Sequence, residues 1–313
     1  MAQTMQSGFI LKMLGNVCYN KQEVKRAQRG KSMIKLIVTD MDGTLLNSEK
    51  HLPPDFYEVI TRLRAQGTAF CIGSGRTWAT LQSNFAGHLQ DLDFICENGA
   101  FVVENGKHTF ESVIPHSTVQ AIVQTVLEVM HEDMNIMLCG KKGAQLTDYR
   151  SNPKLNVLLS RSVIGQTIVP DILAVDDDIF KIAVADLRGP QSMVLPLIKK
   201  KFSAQVDTIQ SGAYFMDCMN KGVSKGAALR YMQQSMGITP GETMVFGDYY
   251  NDVEMLACAQ HSFVMGNAPD GMGRYGRYRA KSNDEDGVFD IIRRCVLGKE
   301  DFAQVCAQHT KRV

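Results

Sequence analysis

Four short polar clusters, each placed directly after an apolar run, are the parts of this chain equipped for chemistry. The first is Asp40-Met41-Asp42-Gly43-Thr44, behind Leu36-Ile37-Val38. Asp40 and Asp42 are two residues apart, so in an extended segment they share a face. Asp42-Gly43 alone also reads as a turn, but a carboxylate that follows a buried strand costs desolvation unless a cation or donor compensates it. The second cluster is Gly73-Ser74-Gly75-Arg76, where glycines around a serine let backbone N–H groups and one hydroxyl approach an anion. In the third, Asn220 to Ala228, Lys225 falls just inside a predicted helix start. A cation there is disfavoured by the helix dipole unless an anion is near; Lys221 competes with it four residues earlier. The fourth is Gly247-Asp248-Tyr249-Tyr250-Asn251-Asp252. Helix capping accounts for Asp252, but not for Asp248 as well.

The elements that position these clusters read as an α/β fold. A buried strand ending at Asp40 is followed by Phe56, Val59, Ile60 and Leu63 at helical spacing, a stop at Gly67, and a second strand over 68–72. This βαβ unit predicts a parallel sheet with right-handed crossovers. Further strands are expected at 94–96 and 243–246, all with chemistry at their carboxyl ends, where open α/β sheets bind ligands. Glu97-Asn98-Gly99-Ala100 follows the 94–96 strand, with Asn98-Gly99 also readable as a tight turn. Asn105-Gly106 marks a hairpin. From about 105 to 210 the pattern changes: a helix capped by Ser117, strands at 136–139, 144–147, 179–185 and 204–209, and a helix at 195–202 with Pro196 in its first turn. Without steady βα alternation this stretch reads as an α+β domain of its own. Asp176-Asp177-Asp178 lacks the Gly and Glu spacing of a calcium loop and reads as a solvated turn.

Composition excludes other classes. Lys and Arg total 34 against 33 Asp and Glu, giving net charge +1. That balance carries no basic excess for nucleic acid, and no apolar run approaches the ~18 residues of a membrane span. The eight cysteines show no C-x-x-C pair, and several sit inside apolar runs such as that of Cys71, which predicts free core thiols and a cytoplasmic setting. Residues 1–32 read as a loosely ordered extension, with Phe9-Ile10-Leu11 and Met13-Leu14 apolar but interrupted by Lys12, polar and basic from Lys21 to Lys31, and without a secretory cleavage pattern; Met33 is a candidate alternative translation start.

Taken in order, the four clusters resemble the four motifs of the haloacid dehalogenase superfamily of phosphohydrolases, and Glu97 to Ala100 resembles a feature of its Cof-like branch. The resemblance implies a three-layer Rossmann-like core over 33–104 and 211–300, with an inserted α+β cap over 105–210. It implies Asp40 as nucleophile, Asp42 as acid and base with a raised pKa, and Lys225 as the cation on the phosphoryl group. Ser74, Gly75, Asn98 and Asn251 would contact substrate. Asp40, Asp248 and the Asp42 backbone carbonyl would hold Mg²⁺, supported by Asp252. The expected partner is a small phosphorylated metabolite, with neither nucleic acid nor membrane, on a monomer or weak homodimer. Tyr149, Arg150, Arg161 and Lys181 are candidates for the cap lining. A phosphomutase or a non-catalytic phosphometabolite sensor are the alternatives; a dehalogenase proper has no need of Asp42 or Mg²⁺.

Overall fold

The computed structural model describes residues 33–162, 165–298 and 300–307, so the expected extension at 1–32 lies outside the described residues. Among these residues the strands form two sheets. The first begins with β1 (Leu36–Asp40), β2 (Ala69–Gly73), β3 (Asp93–Cys96), β4 (Phe101–Glu104) and β5 (Lys107–Glu111). The second holds β6 (Met134–Gly140), β7 (Gly143–Leu146), β8 (Thr167–Ile168), β9 (Ile179–Asp186), β10 (Val206–Gln210) and β11 (Phe215–Asn220). The first then resumes with β12 (Thr243–Gly247), β13 (His261–Val264) and β14 (Tyr278–Arg279).

In the first sheet the order is β14-β13-β12-β1-β2-β3-β4-β5, parallel as far as β3 and antiparallel through the β4–β5 hairpin. All five residues of β1 are buried, because both of its faces are covered. Ile37, Phe70, Phe94 and Met244 pack on helix α1 (Phe56–Ala65) through Phe56, Val59, Ile60 and Leu63. Leu36, Val38, Cys71 and Val245 pack on the other side against Ala228, Leu229 and Met232. These are the three layers of a doubly wound α/β core. Successive strands run outward from β1 in both directions, so the crevice between β1 and β12 is a topological switch point, open at the strands' carboxyl ends.

The remaining helices are α2 (Trp78–Asn84), α3 (His116–Leu127), α4 (Pro153–Ser162), α5 (Val194–Phe202) and α6 (Lys225–Met236), with shorter turns beyond. One face of the second sheet takes α3 and α5 through Ile122, Val126, Val194 and Ile198. Leu155 and Leu159 of α4 pack on the opposite face, with Met137, Cys139 and Ala183. The chain passes between the two sheets through residues 112–115 and 221–224. These crossings are tied together where Asn220 Nδ2 donates to Ser112 Oγ (3.1 Å) and to the Val113 carbonyl (2.6 Å).

Sheet membership departs from the expected boundaries at 104/105 and 210/211. β5 belongs to the first sheet and β11, which pairs antiparallel with β9 and β10, to the second. Alternation identifies a strand but not the sheet it joins. Helix α3 starts at His116 behind Pro115, with no side-chain cap, so Ser117 lies inside it. Asp176 to Asp178 brace the β6–β7 turn: Asp177 accepts from the Lys142 N–H (2.9 Å) and Asp178 pairs with Lys141 (3.0 Å). Cys71, Cys96, Cys139, Cys218 and Cys258 are free and buried. No helix of the described residues is long and apolar enough to cross a membrane.

Candidate active site

Lys225 organises the crevice between β1 and β12. Ser224 caps α6, its Oγ accepting from the Ala227 N–H, which places Lys225 at the first helical position. Its wholly buried ammonium donates to Asp40 Oδ1 (2.5 Å) and Asp252 Oδ1 (2.8 Å). The other Asp252 oxygen accepts from the N–H groups of Asp248 (3.0 Å) and Tyr249 (3.2 Å), closing the loop after β12. Asp248 Oδ1 accepts from the Thr44 hydroxyl (2.9 Å). Gly43, at φ +85°, lets the two loops approach, since a Cβ there would lie 2.5 Å from Asp248 Oδ2. One oxygen each from Asp40, Asp248 and Asp252 then falls within 4.8 Å of the others.

Three carboxylates thus share one ammonium. Burial pushes the Asp40 pKa up, Lys225 pulls it back, and Asp252 and Asp248 raise it again, leaving it well above the ordinary carboxylate range. Burial and then Asp252 push Asp248 up to about 6. Burial opposes the charge on Lys225, but Asp252 and Asp40 outweigh it and hold the ammonium above its ordinary value. The donor set, all oxygen and short of positive charge, fits a hard divalent cation. Asp252 joins this cluster, and the Asp42 side chain does not.

The Asp42 side chain departs from expectation in its charge partners. Its carboxylate accepts from Arg76 Nε (2.8 Å) and Nη2 (2.7 Å) and from Lys50 Nζ (2.9 Å). Burial alone would raise its pKa, but Arg76 and then Lys50 outweigh burial and hold it below the usual value. The raised pKa expected of an acid–base group is therefore absent in this arrangement.

Ser74 and Gly75 line a cavity of about 930 Å³ bounded by both sheets, together with Asp40, Asp42, Asn98, Asp248 and Asn251. Ser74 is buried, its Oγ accepting from the Arg76 N–H (3.1 Å). Asn98, in the left-handed region at φ 55°, donates to Asp217 on β11 (2.7 Å) and accepts from Asn251 (3.1 Å). Asn98 and Asn251 are thus joined to each other and to the second sheet. Gly99, at φ +108°, would place a Cβ 2.2 Å from the Ser224 carbonyl, so only glycine lets this loop touch the start of α6. Beside it, the buried Glu97 pairs with Lys181 of β9 (2.9 Å), which also donates to the Gly75 carbonyl. Glu97 Oε1 has no hydrogen-bond partner among the described residues. Burial raises the Glu97 pKa against the opposing pull of Lys181.

Of the four cap candidates, Lys181 lines this cavity. Tyr149 borders a separate cleft, Arg150 is exposed and pairs with Asp148 (2.7 Å), and the Arg161 side chain lies outside the described residues. Residues not singled out from sequence are Lys50 and Asp217, with Thr44, Arg76 and Glu97 noted only as the ends of their clusters. Glu97 carried a signal, as neighbour of Asn98; Lys50 and Asp217 carried none.

Residues 37–292 match the sequence profile of the haloacid dehalogenase-like hydrolases. The 5-amino-6-(5-phospho-D-ribitylamino)uracil phosphatase YbjI of Escherichia coli is 29% identical over 276 residues, covering 87% of this chain and 99% of its own. The Bacillus subtilis phosphatase YcsE, named for the same activity, is 26% identical over 270 residues, covering 86% and 99%. The crystal structure of SMU.1108c from Streptococcus mutans superposes with a TM-score of 0.78 at 28% identity, over 84% of this chain and 99% of that one. With the three-layer core and the matched span of residues 37–292, the chain belongs to the haloacid dehalogenase-like hydrolases, as a phosphatase of their Cof-like branch.

Proposed function

We propose that the chain hydrolyses phosphate monoesters of small metabolites through a covalent phosphoryl group on Asp40. The observation that carries this reading is the buried Lys225 held between Asp40 and Asp252 with Asp248 alongside, a cation and a carboxylate nucleophile at one cavity edge. Asp40 attacks phosphorus, and the bond to the leaving oxygen breaks as the Asp40–phosphorus bond forms, splitting hydrolysis into two easier steps. Lys225 steadies the phosphoryl oxygens and the charge that builds on them. Ser74 and the Gly75 backbone complete the cradle. Asp42 donates the proton to the leaving oxygen and later takes one from the water that attacks phosphorus, as the bond from Asp40 to phosphorus breaks and inorganic phosphate leaves; to do so it must turn from Arg76 and Lys50. Asp252 holds Lys225 in line, and Thr44 orients Asp248.

Asp40, Asp248 and the Asp42 backbone carbonyl would hold Mg²⁺. When bound, this ion offsets the crowded carboxylates so that a phosphate dianion can enter. The second sheet, over the cavity, acts as a cap that excludes water and reads the leaving group. Because YbjI and YcsE are named for a phosphorylated ribitylaminouracil, the substrate class assigned is small phosphorylated metabolites, in a cytoplasmic setting. Asp40→Asn should abolish release of 4-nitrophenol from 4-nitrophenyl phosphate, and chelation should silence the wild type until Mg²⁺ is restored. Turnover by Asp40→Asn at the wild-type rate would remove the nucleophile from this scheme.

A further inference from the structure

The cations that line the cavity are differently committed. Lys181 is spent on Glu97 and the Gly75 carbonyl. Arg76 and Lys50 instead face Asp42, the carboxylate that the proposed chemistry has to move. The Arg76 side chain and the Lys50 backbone are anchored independently of it. Arg76 is fixed by its own backbone, whose N–H donates to Ser74 Oγ (3.1 Å) and whose carbonyl accepts from the Glu97 N–H (3.1 Å), and its Nη1 reaches Asn84 Oδ1 (3.3 Å). Lys50 sits in the left-handed region at φ 66°, in a turn where its N–H donates to the Asn47 carbonyl (2.9 Å) and Asn47 Oδ1 accepts from the N–H groups of Glu49 and His51. When Asp42 turns toward a leaving oxygen, a guanidinium fork and an ammonium stay behind, facing the cavity with their anion gone. Leaving a charge unpaired is costly where it is partly desolvated; that holds for the Arg76 side chain, 20% exposed, whereas Lys50, 60% exposed, adds a solvated charge at the cavity rim. A planar fork suits a carboxylate or phosphoryl group bidentately.

We propose that Arg76 and Lys50 form a subsite that selects phosphorylated substrates bearing a second anionic group on the leaving part, and that Asp42 and this group compete for it. The inference rests on the phosphatase reading and extends it to the substrate. Arrival of the second anion takes over the cations and frees Asp42 for proton transfer. Small monoesters without such a group must instead break the Asp42 contacts uncompensated.

The test is calorimetric binding to full-length Asp40→Asn protein in excess Mg²⁺, using ethyl phosphate, 2-phosphoglycolate and ethyl diphosphate. At least one of the two doubly anionic probes should bind roughly tenfold to a hundredfold tighter than ethyl phosphate, the range that a bidentate charge-assisted contact supplies. Whichever binds tighter assigns the second group as carboxylate or phosphoryl. Adding Arg76→Gln should bring the preference to near one, Arg76→Lys should keep part of it, and Lys50→Gln should weaken it. Adding Asp42→Asn should increase the preference, because the competitor loses its charge; a merely structural ion pair predicts no such gain. Equal affinity for all three probes, or a preference that survives Arg76→Gln, overturns the proposal. Wild-type turnover of 4-nitrophenyl phosphate is measured in parallel. Turnover without the binding preference sinks this subsite alone, whereas the preference without turnover supports the subsite and sinks the hydrolase reading.

Discussion

Replacing Lys225 by methionine isolates what one buried ammonium does. The side chain is fully enclosed and bonded to two carboxylates, with a third within the same cluster. Methionine keeps most of the volume, so packing loss stays below ~1.5 kcal/mol. The electrostatic loss is larger: removing one partner of a buried pair costs about 3–5 kcal/mol, because the charges left behind are uncompensated. Wild-type Lys225 has a raised pKa in the fold, so its contribution is fully present below the unfolded lysine value of about 10.4 and the loss should be complete at pH 7.5. It should shrink toward pH 5 as the stranded carboxylates take up protons. The assay is urea unfolding followed by fluorescence of Trp78, the single tryptophan, which packs edge-on against Phe94 with centroids 5.3 Å apart. The double variant Lys225→Met/Asp252→Asn should recover at least about 1 kcal/mol through coupling of the pair, while 4-nitrophenyl phosphate hydrolysis stays depressed by a factor of roughly 10² to 10³. If Lys225→Met unfolds at the wild-type midpoint, or if Asp252→Asn restores nothing, the ammonium is not holding this cluster together.

Two further outcomes follow from other parts of the fold. Burial pushes Asp93, at the start of β3, up to about 6 against the Asn105 N–H that it accepts. Its folded pKa exceeds the unfolded value of about 4, so stability falls as pH rises from about 4 through 6; Asp93→Asn should gain roughly 1–3 kcal/mol at pH 8 and nothing at pH 4, and an equal gain at both would assign the effect to packing instead. Gly43→Ala should cost about 1–2 kcal/mol from its left-handed backbone and more than tenfold in kcat/KM through contact with Asp248, whereas Gly67→Ala, at φ +82° with nothing within 4 Å of a Cβ, should cost stability alone.

What could be read from the sequence was what depends on local order. Apolar runs ending in Asp40, Gly73 and Gly247 become β1, β2 and β12 because a strand covered on both faces must be apolar throughout. The clusters after β1, β2 and β12 meet because parallel strands put their carboxyl ends on one edge, whereas Lys225 arrives from the antiparallel β11 through the start of α6. Contacts made by geometry across elements were not legible. Nothing in the composition of 47–51 announces that Lys50 will reach Asp42, since that depends on a turn bringing residue 50 back over the crevice. Asp217 looks like any polar residue in a strand, and its meaning comes from facing Asn98 across two sheets. Helix α4 went unread although its signal is present. Asn152 precedes Pro153, and its Oδ1 accepts from the Lys154 and Leu155 N–H groups, an Asn cap with proline at the first helical position.

The tie that Asn220 makes to Ser112 and Val113 bears on the order in which the chain acquires its structure. β1 pairs Leu36 with Thr243, roughly two hundred positions away, a closure that an unstructured chain reaches slowly. The second sheet contains local antiparallel pairs, β6 with β7 and β10 with β11, which assemble without that search. Once it forms, with Asn220 pinned beside residues 112 and 113, the effective loop between β5 and α6 becomes short, and β12 is delivered to the edge of β1. Destabilising β9 should therefore slow refolding, whereas destabilising β12 should chiefly speed unfolding.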